Sequence, residues 1–341
     1  MKKIYLDYAN GLYQSGVVGK YKPSTESLKF IKKKLVKIMG LKDKEFISLS
    51  QNLSTSLIYV LRKVFQRPKF NVYISSHEIK YLETILTSGV MPKDKVSYPN
   101  YAKFIEVAGF SKDIHVFEPD ELLRLPEEED KIIIISHVSR MTGEILIKPN
   151  TFLQAKKKNS NDIIIVDGCQ SVGALEVNAD KVSDVYLGVT SKFLGAIPHI
   201  GFCWISNKIV NSWKIKEWTI DHNDFQKEIS STRTSLEKIS LQLNKVLILR
   251  NIFENNLLEN GIEFQKLKNQ VNYILIIPIK SEELNQLVQE LKKSNIFVSS
   301  NTNWSIREPE IPGIRISIGK NNSIQDIKNF IAIFKKIRRY T

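Results

Sequence analysis

The chain has 341 residues but only two cysteines, Cys169 and Cys203, so no disulfide framework can hold it together. Both lie in apolar, strand-like surroundings, where a buried free thiol is the plain reading. Long apolar runs are missing as well. The longest, such as 132–135 and 163–166, fall far short of the roughly 20 residues that a membrane span needs. At the N-terminus, Met1-Lys2-Lys3-Ile4-Tyr5-Leu6-Asp7 puts an acid where a signal-peptide core would have to form, which predicts a cytoplasmic protein. The sequence shows no zinc-ligand spacing, low-complexity tract, internal repeat or nucleic-acid-binding signature.

Positive charge, by contrast, is in excess: 50 Lys+Arg against 36 Asp+Glu give a net charge of +14. Such a field draws anions, whether phosphate cofactors, acidic metabolites or nucleic acid. The basic residues are scattered, however, and the tight runs 32–34 and 156–158 fall in helical patterning. Each reads as a solvated helix face, not as a nucleic-acid surface. Hydrophobic residues at 42% and charged residues at 25% are ordinary for a globular chain, which sets aside disorder and coiled coil. At about 150 residues per domain, the length suggests two domains.

Short β-branched runs alternate with amphipathic stretches of helical period. Strands are predicted at 70–75, 131–136, 162–166, 185–189 and 200–205, and helices at 24–39, 52–65, 79–87 and 150–158. Runs that are apolar on both faces suit a mostly parallel sheet covered by helices on each side, so a doubly wound α/β core is expected from about 40 to about 210. Beyond Trp218 a polar stretch, 221–234, leads into one long helical pattern, 235–259, ending at Gly261. Strands at 272–278, 296–299 and 314–318, a helix opened by Ser281 and a basic terminal helix from Ser323 then predict a smaller α+β C-terminal domain.

In open α/β sheets, ligands bind at the carboxyl ends of strands, so the residues that follow each strand are the first candidates. The 162–166 run is followed by Asp167-Gly168-Cys169-Gln170-Ser171-Val172-Gly173, and the 185–189 run by Thr190-Ser191-Lys192-Phe193-Leu194-Gly195. Upstream stands Ser136-His137-Val138-Ser139-Arg140-Met141-Thr142-Gly143-Glu144, and near the end Ile314-Arg315-Ile316-Ser317-Ile318-Gly319. A surface lysine and a helix N-cap are the plain alternatives for Lys192 and Asp167 taken alone.

Together with Tyr5-Leu6-Asp7-Tyr8-Ala9, these segments resemble, in order and over nearly the whole chain, the fold-type I pyridoxal phosphate (PLP) enzymes in their class V aminotransferase and cysteine desulfurase branch. That pattern has a strand ending in Asp-(Ala/Gly)-x-Gln, then Ser-x-His-Lys or a variant followed by x-x-Gly. His-Val-x-(Asn/Ser)-x-x-Gly precedes it, and a strand with (Ile/Val)-Arg-x-Ser follows. The resemblance implies an N-terminal arm (1–20) joining the small domain, a PLP-binding large domain (21–230) and a C-terminal small domain (231–341).

By the same resemblance, Lys192 forms the Schiff base with PLP, and Asp167 keeps the pyridine nitrogen protonated so that the ring can store electrons. Gln170 would bond the phenolic oxygen, and His77, in Ser75-Ser76-His77-Glu78, would stack on the ring. Leu53 and Ser54, in Ser50-Gln51-Asn52-Leu53-Ser54-Thr55-Ser56, would donate to the phosphate from a helix N-terminus; an ordinary capping segment is the alternative. Thr190 joins the cofactor contacts. Thr232, in Ser231-Thr232-Arg233, would reach the phosphate of a neighbouring subunit, which implies a homodimer. Arg315, with Asn10, would hold the substrate carboxylate, for which a guanidinium fork is suited.

The sequence departs from the pattern in places. Arg140 stands where many relatives carry Asn or Ser near the phenolic oxygen, Ser191 replaces the usual His before the lysine, and Val189 replaces a phosphate-binding Ser. An arginine there would stabilise the phenolate. The segment 299–312, where a desulfurase carries its mobile nucleophile, has no cysteine. The function expected is a PLP-dependent aminotransferase acting on a small α-amino acid and a 2-oxo acid. The alternatives are a lyase, racemase, epimerase or desulfurase-like enzyme of the same fold, or a non-catalytic binding or regulatory descendant.

Overall fold

The structure is a computed structural model that describes residues 3–7, 24–42, 46–65, 70–80, 82, 86, 114–196, 199–216, 218–219, 223–238, 243–271, 273–319 and 321–338. In its first part the elements are β1 (Ile4–Tyr5), α1 (Thr25–Ile38), β2 (Ile47–Ser50), α2 (Leu53–Phe65), β3 (Asn71–Ser75), β4 (Ile114–Phe117), β5 (Lys131–Ser136), α3 (Pro149–Lys158), β6 (Ile163–Asp167), β7 (Val185–Val189), β8 (Gly201–Ile205) and α4 (Asn207–Trp213). There follow α5 (Gln226–Glu237), α6 (Leu243–Glu259), β9 (Ile274–Pro278), α7 (Ser281–Lys293), β10 (Ile296–Phe297), β11 (Ser299–Ser300), β12 (Gly313–Ser317) and α8 (Ile324–Arg338).

Among the described residues, seven strands form the central sheet in the order β2-β8-β7-β6-β5-β3-β4. Only β8 runs antiparallel to its neighbours β2 and β7; the remaining pairs are parallel. Strand alternation explains why these runs are apolar throughout. Ile133 and Ile135 of β5 enter a core with Leu28 and Ile31 of α1 and Phe152 of α3, whereas Ile132 and Ile134 enter another with Leu57, Val60 and Leu61 of α2. Both faces are therefore covered, as the doubly wound expectation requires, and each such side chain contributes about 1.5–3 kcal/mol on burial. Helix α1 starts where Ser24 accepts a hydrogen bond from the Ser27 amide at 3.2 Å, a local N-cap.

The second layer is an antiparallel sheet, β11-β12-β9. Its core collects Leu249, Phe253 and Leu257 of α6, Leu284, Leu287 and Leu291 of α7, and Ile327, Phe330 and Phe334 of α8. Ile4 and Leu6 join that core, and β1 pairs in parallel with β10 through Ile4 and Ile296. The start of the chain thus closes on its end.

Two expectations change, and a third lies largely outside the described residues. Strands β2 and β4 were not anticipated, because each is only four residues long and β4, with half-exposed positions, does not carry an uninterrupted apolar run. The polar stretch 221–234 and the long helix 235–259 resolve into α5 and α6, with 239–242 outside the described residues. Helix α5 escapes an apolar-period reading because its buried face is built from small hydroxyl residues: Ser230, Ser231, Thr232, Thr234 and Ser235. The predicted helix 79–87 falls largely outside the described residues.

Candidate active site

The carboxyl ends of β5, β6 and β7 lie side by side and deliver most of the polar candidates. Ser136, the last residue of β5, is register partner to Asp167, the last residue of β6. Asp167 is buried, and its Oδ1 accepts the Cys169 amide at 2.8 Å, which turns the chain sharply after the strand. Glycine at 168 is required by space: a Cβ there would sit 2.0 Å from Cε1 of Tyr186. The Tyr186 hydroxyl is bonded to Ser171 Oγ at 2.6 Å and to His137 Nδ1 at 2.7 Å. Burial pulls His137 down to about 4, so this imidazole is neutral at physiological pH. The Tyr273 hydroxyl donates to the carbonyl of Gln170, itself buried. The turn 167–171 is thus braced on several sides before any ligand arrives.

Beyond β7 the chain is stapled into a tight loop. The Thr190 amide donates to the Ile200 carbonyl at 2.9 Å, the Ile200 amide donates to Thr190 Oγ1 at 3.0 Å, and the Ala196 amide donates to the Thr190 carbonyl at 2.8 Å. Lys192 projects from that loop and is half-buried. Desolvation is the largest influence on its amine. The positive charges of Arg140 and Arg315 add to it, Cys169 and Asp167 oppose it, and the amine comes down to about 7. His199 lies in the same loop, and burial together with the charge of Lys192 lowers its imidazole.

Arg315 sits on β12 and is fully buried. Its Nη2 pairs with Asp7 Oδ1 at 3.0 Å, and its Nη1 donates to the Arg140 carbonyl at 2.8 Å. The ring of Trp304 lies 5.6 Å from the guanidinium carbon. Ser299 Oγ donates to the other oxygen of Asp7 at 2.6 Å. Arg140 is presented by a turn in which Ser139 Oγ accepts the amides of Met141 and Thr142, each at 3.2 Å, and Gly143 takes a positive φ of 76°.

The structure therefore brings Lys192, Asp167, Arg140 and Arg315 into one electrostatic cluster, flanked by Gln170 and Thr190. Leu53 and Ser54 open α2, whose first turn is capped by Asn52 Oδ1 accepting the Thr55 amide at 3.0 Å. A Cβ on Gly201 would meet the backbone of Asn52 at 2.3 Å, and Gly201 pairs with Val189. This close approach presses the start of α2 against the end of β7. Thr232 is fully buried, its hydroxyl 3.2 Å from that of Thr190.

His77 lines a recess with Glu118, Leu122, Glu144 and Thr151, and Glu118 is the charged group that acts on it. It is the next residue, Glu78, that points inward to Ser136, within electrostatic reach of Asp167 and Arg140. Asn10 lies outside the described residues. Sequence reasoning missed Glu78, His199 and the pairing role of Asp7. The one available signal was an acidic residue just past a strand end, overshadowed by the histidine beside it.

The neighbouring segment 305–307 is tied to this turn. The Ile306 amide donates to the Glu78 carbonyl at 2.8 Å, the Arg307 amide to the Ser76 carbonyl at 3.1 Å, and Ser305 Oγ to the His77 carbonyl at 3.1 Å.

No family profile matches the sequence, and no curated protein matches it. Solved structures do match in fold. A NifS-like protein superposes with a TM-score of 0.72 at 17% identity, covering 100% of both chains. The ureidoglycine–glyoxylate aminotransferase of Bacillus subtilis gives 0.71 at 14% identity, covering 100% of this chain and 94% of its own. A serine palmitoyltransferase from S. paucimobilis, with a bound PLP–myriocin aldimine, gives 0.64 at 14% identity over 99% and 88%. The chain thus has the fold that the motif order implied, that of the fold-type I PLP enzymes. Among the described residues, no helix is long and apolar enough to cross a membrane, and no group of His, Cys, Asp and Glu is arranged to hold a metal ion.

Proposed function

We propose that the chain is a PLP-dependent aminotransferase of the class V type, transferring an amino group between a small α-amino acid and a 2-oxo acid. The observation that carries this reading is Lys192: an amine brought down to about 7, at the carboxyl edge of a parallel sheet, in one electrostatic cluster with Asp167 and two arginines. The donor set fits PLP, which needs an uncharged amine, a carboxylate for its ring nitrogen and backbone N–H groups for its phosphate. When bound, PLP supplies an aldehyde that condenses with amines and a ring that takes up the electron pair released at the substrate α-carbon.

The roles of the chain's own residues follow from that fit. An amine brought down to about 7 is available uncharged near neutral pH, so Lys192 would serve as nucleophile and then as carrier of the α-proton. Asp167, held by the Cys169 amide, would keep the ring nitrogen protonated. Gln170 and Arg140 would serve the phenolic oxygen, with the Arg140 charge favouring its anion. Leu53 and Ser54 at the start of α2, with the paired hydroxyls of Thr190 and Thr232, would take the phosphate. Arg315 would take the substrate carboxylate, which then shares the guanidinium with Asp7. A homodimer, with Thr232 reaching the phosphate of the neighbouring subunit, rests on the resemblance. A cysteine nucleophile on a moving loop has no support: 299–312 lacks cysteine, and 305–307 is bonded to the 76–78 turn.

The test is to add PLP to purified protein and look for the visible band of the bound cofactor, then trap it with borohydride and map the modified residue. A band, trapping at Lys192 and conversion of the cofactor to its amine form by an amino acid support the reading. A colourless protein, or Lys192→Ala retaining full turnover, sinks it. Binding without conversion by any amino donor would shift the assignment to a lyase, racemase or epimerase.

A further inference from the structure

Glu78 lies three residues past the end of β3 and is 2% exposed. Ser136 Oγ donates to its Oε1 at 2.6 Å, and Ser136 is the register partner of Asp167. The carboxyl of Glu78 is thus one side chain removed from that of Asp167, and the two charges act on each other. The backbone leaves it no exit. The Glu78 amide donates to the Ser75 carbonyl at 2.9 Å and its carbonyl accepts from Ile306 at 2.8 Å, so the residue is fixed between β3 and the 305–307 segment.

Desolvation and the repulsion of a neighbouring carboxyl both disfavour the charged form of a buried acid. We propose that Glu78 is a positioning residue that holds a proton, so that its carboxyl stands beside Asp167 as a neutral hydrogen-bonding acid and adds no second negative charge where the ring nitrogen is to be held. The part concerning the ring rests on the PLP reading of the site; the placement of the proton does not.

The groups that face Glu78 come from several elements. Ser136 on β5, Arg140 beyond it and the Ile79 amide favour the ionised form, whereas Asp167 on β6 and burial oppose it. Burial comes first and the balance pushes the carboxyl up to about 8. Glu78 therefore stays protonated through neutral pH, and its side chain is a neutral hydrogen-bonding acid.

The experiment compares the wild type with Glu78→Gln, which keeps the shape and cannot ionise. In the protein without PLP, infrared difference spectra against pH should show the carbonyl stretch of a protonated carboxyl, disappearing as pH rises through about 8 and absent from Glu78→Gln. The folded value lies above the unfolded one of 4.5, so the stability this group contributes is present in acid and lost as pH climbs toward 8. Wild type should accordingly lose stability relative to Glu78→Gln over that window. With PLP and substrate, the wild-type rate should fall as pH rises through about 8, and Glu78→Gln, still active, should lack that fall.

No protonated-carboxyl band near neutral pH, or a Glu78→Gln variant with the wild-type pH dependence, overturns the proposal. If wild type binds no PLP at any pH, the functional reading fails, while the infrared band still decides whether Glu78 holds a proton.

Discussion

Asp7 and Arg315, separated by nearly the whole chain, form a 3.0 Å ion pair with side chains only 3% and 1% exposed. It joins the segment after β1 to β12, and Arg315 continues to the Arg140 carbonyl in the large sheet's edge. Removing one member of a buried pair leaves the other charge without compensation, at a cost of about 3–5 kcal/mol. Asp7→Ala is therefore expected to lower the unfolding free energy by about that amount in urea titrations. Asp7→Asn keeps an acceptor and should recover part of it. A midpoint unchanged in both variants would contradict the pairing.

Lys192 should react as an amine of pKa about 7, not as an ordinary lysine. At neutral pH its uncharged fraction exceeds that of a surface lysine on the order of a thousandfold. The rate of PLP-dependent borohydride trapping should rise from acid pH and level off above about pH 8. A rate still climbing near pH 10 would mean that the amine is neither desolvated nor crowded by Arg140 and Arg315.

Lys192 and His199 share a loop, and the charge of one lowers the imidazole of the other. Lys192→Ala removes that repulsion and should raise the His199 titration midpoint, read from imidazole resonances in proton NMR. Burial remains the larger cause, so the midpoint should stay below the free value. No movement at all would separate the two side chains.

Acid sensitivity should trace partly to His137. Its folded value of about 4 lies below the unfolded 6.5, so the unfolded chain takes up the proton first as pH falls. The stability involved is present above 6.5 and is lost on the way to 4, amounting to about 3 kcal/mol at most. His137→Gln, compared with wild type at about pH 7 and pH 4.5, should show the smaller acid loss; equal losses would assign the effect to other groups.

Gly168→Ala should destabilise by about 1–3 kcal/mol, because its new methyl collides with the Tyr186 ring and forces it from Ser171 and His137. Thermal unfolding and PLP titration of this variant should both move. An unaffected cofactor affinity would show that the brace beneath Asp167 is dispensable.

The sequence made the sheet legible where strands were buried on both faces, as in 131–136 and 162–166, since continuous isoleucine runs admit few other packings. Motif order singled out Lys192, Asp167 and Arg315, and Arg140 as a departure from the motif; the charges of the other three act on Lys192 in the structure. What stayed hidden depended on pairing and orientation. Helix α5 turns hydroxyls inward and looks polar; the Thr232 hydroxyl meets that of Thr190; and the turn after β3 aims Glu78 at Ser136, the register partner of Asp167. A strand exit fixes where a residue emerges, but which of two adjacent side chains faces in depends on hydrogen bonds to segments far along the chain.

Those hydrogen bonds have an evolutionary consequence. With Ser305, Ile306 and Arg307 fastened to His77, Glu78 and Ser76, the length of the 299–312 loop is coupled to the exit of β3. An insertion or deletion in that loop is transmitted to the turn that carries Glu78, so change there should come by residue exchange at constant length, or else be accompanied by compensating change around Ser76.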